Sequence, residues 1–327
     1  MSIFLASLNK SGRLAQTYIT ICNIGSRKLG EQDDYASKGW DIFGSRLSIY
    51  GFDADEDACE QANAEIAAKK VVWNEKHIPI ALGETEGERT LYVTKHPMCS
   101  SLYLPNDSYL KRFAGISEVM ELDFDVEIPL TTLDAFCQNE GIKEIDYIQV
   151  DVQGADLQVL KGGTSIIKNS VLAVQVEVEF SHLYVEQPLF ADVDTYMRSQ
   201  GFTLFDLYIA RRARKRTPLT SNAHPGQILW GDAYYFRDLI SDDVNTPLKT
   251  PEQIFKLACI ADAMDFADYA LELLEYLTLN YGKDEKYNFA DCIVESLGQF
   301  PNLVEQGLSS LPIVANIRDY INEDNLK

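Results

Sequence analysis

The sequence predicts an α/β fold: a doubly wound, mostly parallel sheet with a C-terminal helical appendage. Three observations carry this. Runs rich in β-branched residues alternate with segments whose alanines and charges recur at helical spacing, the pattern of βαβ units. In IDYIQVDVQGADLQVLKGG (Ile145–Gly163) an apolar alternating run stops at Asp151, breaks at Gly154 and passes into a helical pattern. That is the usual way such a sheet presents a side chain at its edge. From about Ser241 onward the chain reads as helix after helix.

The elements follow in order. TYITICNIG (Thr17–Gly25) is β-branched and ends at glycine, a buried strand. LSIYGFDAD (Leu47–Asp55) is a second strand ending in acids, and Glu56–Lys70 has helical spacing. VVWNEKHIPIALGE reads as a third strand region. RTLYVTKHPMCSSLYLPN reads as a hairpin or irregular insertion broken by Pro97 and Pro105. Thr131–Gly141 is a short helix with Thr132 or Asp134 as cap and a terminal glycine. Ile145–Val152 is a strand, Ala155–Ile167 a helix, Val171–Phe180 a strand and Gln187–Gly201 a helix. FTLFDLYIA and QILWGDAYYFR, joined by a long polar loop, suit a terminal antiparallel pair. The expected division is an N-terminal segment 1–16, a sheet domain 17–240 and a helical region 241–327. The helical region reads as a packing cap or a homo-oligomer face.

Composition narrows the classes of function. The 327-residue chain carries a net charge of -21, which disfavours nucleic acid and anionic membrane surfaces as partners. No apolar run reaches the roughly 18–20 residues that span a bilayer, and MSIFLASLNKSGR has neither the basic start nor the cleavage site of a signal peptide. The six cysteines are scattered and no two histidines sit at i, i+4, so neither a metal site nor a disulfide framework is expected, and a cytoplasmic setting fits.

Ligands of a doubly wound sheet bind at the carboxyl ends of its strands. Gly25 ends the first strand and lets a ligand approach the backbone. Asp53 ends the second and offers a carboxylate to a ribose diol, whereas Asp55 and Asp57 suit capping or first-turn positions. This pair points to an adenosine-containing cofactor. The turn NIGSRKLG lacks the G-x-G-x-x-G of a dinucleotide site, and its Gly25 and Gly30 are not followed by the Lys and Ser/Thr of a P-loop. A cofactor without a pyrophosphate suits it better, and S-adenosyl-L-methionine is one.

The order of motifs resembles the FkbM-type S-adenosylmethionine-dependent methyltransferases. The most specific piece is IDYIQVDVQGADLQVLKGG, similar to I-D-x-I-K-I-D-V-E-G-A-E-x-x-V-L-x-G. TTLDAF, IALGETEG, SSLY, GFDAD, VQVEVEF and FADVDTYMRSQGFTLFDL resemble further elements of that family, from about Thr17 to Asp238. The resemblance implies a Rossmann-like, seven-stranded class I methyltransferase fold. It also implies cofactor contacts at Asn23, Gly25, Ser26, Asp53, Ala54, Ala81 and Asp151. Asn23 stands where an acid is common, and Gln153 and Asp156 stand where the pattern has glutamates. Weight therefore falls on Asp151 rather than on position 153.

Transfer to a hydroxyl needs positioning and a proton acceptor. The expected catalytic residues are Asp151, Glu179 in preference to Glu177 at the end of its strand, and His182 just beyond it. His182 also reads as a loop histidine satisfied by a carbonyl. ARRARKRTP (Ala210–Pro218) is basic in an acidic chain. It reads as a solvated loop or, through Arg211 and Arg212, as a receptor for an anionic acceptor. The expected activity is O-methylation of a sugar, glycan or secondary metabolite. A nicotinamide-dependent oxidoreductase and a non-catalytic binding protein that keeps the fold are the alternatives.

Overall fold

The computed structural model describes residues 2–27, 35, 39–219, 221–242 and 245–322; Gly30 of the first turn lies outside them. Numbered along the chain, helix α1 (Leu5–Lys10) precedes strands β1 (Ile19–Ile24) and β2 (Leu47–Asp53), then helix α2 (Glu56–Lys69). Strands β3 (Asn74–Pro79), β4 (Ala81–Leu82) and β5 (Gly87–Thr94) follow, then a single turn α3 (Asp107–Leu110) and strand β6 (Leu122–Thr131). Next come α4 (Leu133–Glu140), β7 (Tyr147–Val150), α5 (Asp156–Gly162), α6 (Thr164–Asn169), β8 (Ala173–Glu179) and α7 (Phe190–Ser199). The hairpin β9 (Thr203–Arg212) and β10 (Gln227–Phe236) leads to helices α8 (Pro251–Ala263), α9 (Ala267–Tyr281), α10 (Ala290–Leu297), α11 (Pro301–Gln306) and α12 (Pro312–Asn316).

The chain forms two compact units: Thr20–Lys28 with Ile49–Arg237, and Met1–Ile19 with Leu29–Ser48 and Asp238–Lys327. The first holds a seven-stranded sheet in the order β3-β2-β1-β7-β8-β10-β9. β7 pairs in parallel with both β1 and β8, while β10 runs antiparallel to β8 and β9. The chain winds outward from β1 to β3 and returns on the other side of β1 with β7. The order therefore reverses between β1 and β7, which is where such sheets bind ligands. β8 is buried or half-buried along its whole length, so the acids that alternate with its valines, Glu177 and Glu179, are held inside the protein. Tight helix caps fix the crossovers. Asp55 accepts from Ala58 N at the start of α2, and Thr132 from Ala135 N at the start of α4. Asp134, the other candidate for the α4 cap, instead accepts from Ser165 N and Ile166 N and caps α6.

Three elements differ from expectation. The helix expected over Ala155–Ile167 is two helices, broken at Gly163. The third strand region splits: β3 joins the main sheet, while β4 joins β6 and β5 in a small second sheet, order β4-β6-β5. β6 was not foreseen at all, although Leu122, Phe124, Val126, Ile128 and Leu130 alternate with acids at the period of a strand.

The second unit is helical. α8 and α9 bury Ile254, Leu257, Ile260, Leu273, Leu274 and Leu277, each essentially inaccessible. α1 is tied to α8 at its start: the Asp262 carboxylate accepts from the N–H groups of Ile3, Phe4 and Leu5, each at 2.8 Å. These are helix-start donors with no partner inside the helix, and a carboxylate also suits the positive end of the helix dipole. Among the described residues no helix is long and apolar enough to cross a membrane.

Candidate active site

A cavity of about 340 Å³ opens at the carboxyl ends of β1, β2 and β7. Gly25, Asp53, Ala54, Ala81 and Asp151 line it, joined by Arg27, Asp55, Ile80, Leu82 and Gln153. The β1 and β7 ends are locked together. Asp151 N donates to Ile24 O at 2.9 Å, and Gly25 N and Ser26 N both donate to Phe52 O at 2.9 Å. Gly25 has φ +81°, and a Cβ there would lie 1.8 Å from the Asp151 carbonyl oxygen. Only glycine fits this crossing.

On the β2 side, Asp53 Oδ1 accepts from Asp55 N at 2.9 Å. Arg27 hydrogen-bonds Asp55, and its Nε lies 3.9 Å from Asp53 Oδ2. Burial raises the Asp53 pKa, with the Asp55 N–H and Arg27 pulling the other way. Burial also opposes ionisation of Asp55, yet the Ala58 N–H and the guanidinium hold it below the usual range. As expected, Asp55 is the cap of α2 and Asp57 lies in its first turn.

On the β7 side the organising residue is Gln153. It sits at φ +55°, a left-handed conformation that costs about 1 kcal/mol or more outside glycine. Its Nε2 donates to Asp151 Oδ1 and to Glu177 Oε2, each at 2.7 Å. Its Oε1 lies 3.0 Å from the Tyr184 hydroxyl, and its carbonyl accepts from Ser101 Oγ at 2.6 Å. A glutamate here would add a negative charge between two carboxylates; the amide supplies both with a donor instead. Behind it, Asp156 accepts from Val152 N at 3.0 Å and Gly154 N at 2.9 Å, fixing the turn into α5.

Burial and neighbouring charges favour the neutral form of three acids here, Asp156, Glu177 and Glu179. Burial, then the Asp151 charge, raises Asp156 to about 7. Glu177 is raised well above its usual value by burial, then by Asp151, Glu179 and Asp156; Glu179 is raised likewise by burial, Asp156 and Asp151. The folded protein thus binds more protons than the unfolded chain between the ordinary carboxyl range and these raised values. Its stability falls as pH rises through that interval, which for Asp156 ends near 7. Glu177→Gln keeps an acceptor for Gln153 and removes one such group. Its denaturation midpoint is expected to fall less than the wild type's between about pH 5 and about pH 8. Equal slopes would show that Glu177 is not part of the effect. Among the described residues no group of three or more His, Cys, Asp or Glu side chains is arranged to hold a metal ion.

Several expected site residues lie elsewhere. Ser26 is buried, its Oγ 2.9 Å from His77 Nδ1, while His77 Nε2 meets Glu75 at 3.2 Å; this chain turns Ser26 into the packing beneath β2. Asn23 stands beside Gln149 of β7, one residue before the cavity-lining Ile24, and does not line the cavity. Glu179 is buried opposite Trp230, and Glu177 is the strand acid that reaches the cavity wall, through Gln153. His182 is exposed in the loop after β8, where its carbonyl accepts from Asn106 Nδ2. Arg211 and Arg212 are on β9, three strand positions from β7, or roughly 14 Å at the usual strand spacing. Arg212 lies over the Trp230 ring at 4.4 Å. The sequence reading missed Arg27, Ser100, Ser101 and the wall contributed by β5 and β6.

The mostly parallel seven-stranded sheet, with β10 antiparallel and a carboxylate on each flank of its switch point, has the architecture expected of a Rossmann-like class I methyltransferase. The sequence model of the methyltransferase FkbM domain matches residues 37–204, more than half of the chain, and the protein belongs to that family. No curated protein matches the chain. Among solved structures, the methyltransferase FkbM from Methylobacillus flagellatus KT is 12% identical, with a TM-score of 0.37 over 67% of this chain and 43% of that one. The chain thus spans less than half the length of that protein. TrmK from M. capricolum, solved with the cofactor product S-adenosylhomocysteine, is 11% identical, with a TM-score of 0.31 over 97% of each chain.

Proposed function

We propose that this methyltransferase uses S-adenosyl-L-methionine to methylate a hydroxyl oxygen on a sugar, glycan or secondary metabolite. The observation that carries the reading is the cavity at the switch point with Asp53 and Asp151 on its two flanks. The residues present fit the cofactor's chemistry. Asp53 is a carboxylate acceptor suited to a ribose diol, Asp151 a negative charge suited to a cationic ligand, and Ile80, Ala81 and Leu82 an apolar surface suited to a flat base. When bound, S-adenosylmethionine supplies a methyl group made electrophilic by its sulfonium.

The chain's own tasks are positioning and proton removal. Asp53, held by Asp55 N–H and faced by Arg27, would fix the diol. Gln153 holds Asp151 Oδ1 from one side, so the carboxylate has a set orientation at the cavity. Asp151 is the cavity-lining acid next to the raised carboxyl of Glu177. It would take the acceptor's hydroxyl proton as the new O–C bond forms and the C–S bond breaks. Calorimetry on the full chain tests the cofactor. Binding of S-adenosylhomocysteine with no binding of NADH is expected; the reverse would make the protein a nicotinamide enzyme. Release of S-adenosylhomocysteine dependent on an added acceptor would separate an enzyme from a binding protein that keeps the fold.

A further inference from the structure

The wall facing the strand ends bears on the acceptor, given the reading of the cavity as a methyl-transfer site. It is built by the β5–β6 hairpin. The antiparallel register sets Leu91 opposite Val126 and Val93 opposite Phe124, so these four side chains share one face, continued by Ile128. All five line the cavity, with Met98 beside them. The alternate residues of β6, Asp123, Asp125 and Glu127, take the other face. The apolar face is open to water: Phe124 is 53% and Val126 41% exposed. A hairpin that turns its acids away from a cavity and leaves large apolar side chains wet around it presents a binding surface rather than a core.

Charge points the same way. Asp53, Asp55 and Asp151 line the cavity, and the lining cation among the described residues, Arg27, is already engaged by Asp55 and Asp53. Arg211 and Arg212 are at the far edge of the sheet. A phosphorylated or otherwise anionic acceptor would enter a site of its own sign.

We infer that the hydroxyl methylated here is carried by an uncharged acceptor with an apolar, aliphatic or aromatic body, which packs against the Leu91, Val93, Phe124, Val126 and Ile128 face. Two probes decide it: 2-naphthol, a neutral hydroxyl compound with an apolar body, and glucose 6-phosphate, an anionic sugar. Binding to the full chain is measured by calorimetry with and without S-adenosylhomocysteine. 2-Naphthol is expected to bind and glucose 6-phosphate not to. Val126→Glu, a charge on an exposed strand position, is expected to weaken 2-naphthol at least about tenfold by burying an unpaired carboxylate against it, with S-adenosylhomocysteine affinity unchanged. Naphthol binding undiminished in the variant, tighter binding of glucose 6-phosphate than of naphthol, or binding of neither probe overturns the inference. Naphthol binding that is lost in Val126→Glu, in a protein that does not bind S-adenosylhomocysteine, upholds the apolar wall and refutes the cofactor reading instead.

Discussion

Gly25→Ala is expected to lower the stability of the sheet unit by about 3 kcal/mol or more and to abolish cofactor binding. The new Cβ would sit 1.8 Å from the Asp151 carbonyl oxygen, far inside any real contact, and the residue would have to keep φ +81°. The strain has no soft outlet. The opposing atom is backbone, and the chain on both sides is held: Gly25 N and Ser26 N by Phe52 O, and Ile24 O by Asp151 N. The ends of β1 and β7 would have to part, which moves both walls of the cavity at once. Denaturant titration followed by S-adenosylhomocysteine calorimetry checks this. A midpoint and an affinity close to those of the wild type would show that the β1–β7 crossing yields without cost.

Asp151→Ala and Asp151→Asn are expected to cut methyl transfer by roughly 10²–10⁴-fold, the usual contribution of a positioned proton acceptor. They should do so without weakening the fold. The Asp151 charge raises Asp156, Glu177 and Glu179, so removing it relieves three buried neighbours. In Asp151→Asn the side-chain oxygen still accepts from Gln153. Loss of turnover with an unchanged or raised melting temperature, in a protein that still carries its full secondary structure, is therefore the expected pair of results. Near-normal turnover would remove Asp151 from the chemistry.

The parts of the site that were legible in the sequence share one property: their signals are local. β7 alternates, ends at an acid and a glycine, and passes into helical spacing within twenty residues, so Asp151 could be placed at a sheet edge from its own neighbourhood. Gly25 and Asp53 were found in the same way. What was not legible depends on strand order or on pairing between distant segments. Arg211 and Arg212 close a strand whose carboxyl end faces the ligand side, but no pattern along the chain says that this strand is the outermost. Gln153 reads as a departure from a motif until β8 brings Glu177 within 2.7 Å of its amide. Position 153, given less weight than Asp151 on sequence grounds, holds Asp151 in place. The hairpin wall is the case where a signal existed. Leu122 to Leu130 alternates faithfully, but its acids give the stretch the composition of a loop, and its partner β5 lies some thirty residues upstream.

The Asp262 carboxylate sets a timetable for synthesis. The N–H groups that it receives belong to Ile3, Phe4 and Leu5, up to 259 positions earlier in the chain. At about 5–20 residues per second, a ribosome finishes Leu5 roughly 10–50 s before it reaches that aspartate. Throughout that time the first helix has no acceptor at its leading turn. The helical unit therefore closes last, about 1–5 s after the final strand of the methyltransferase sheet has been made, and a nascent chain halted before α8 would carry a first helix whose leading N–H groups lack their carboxylate.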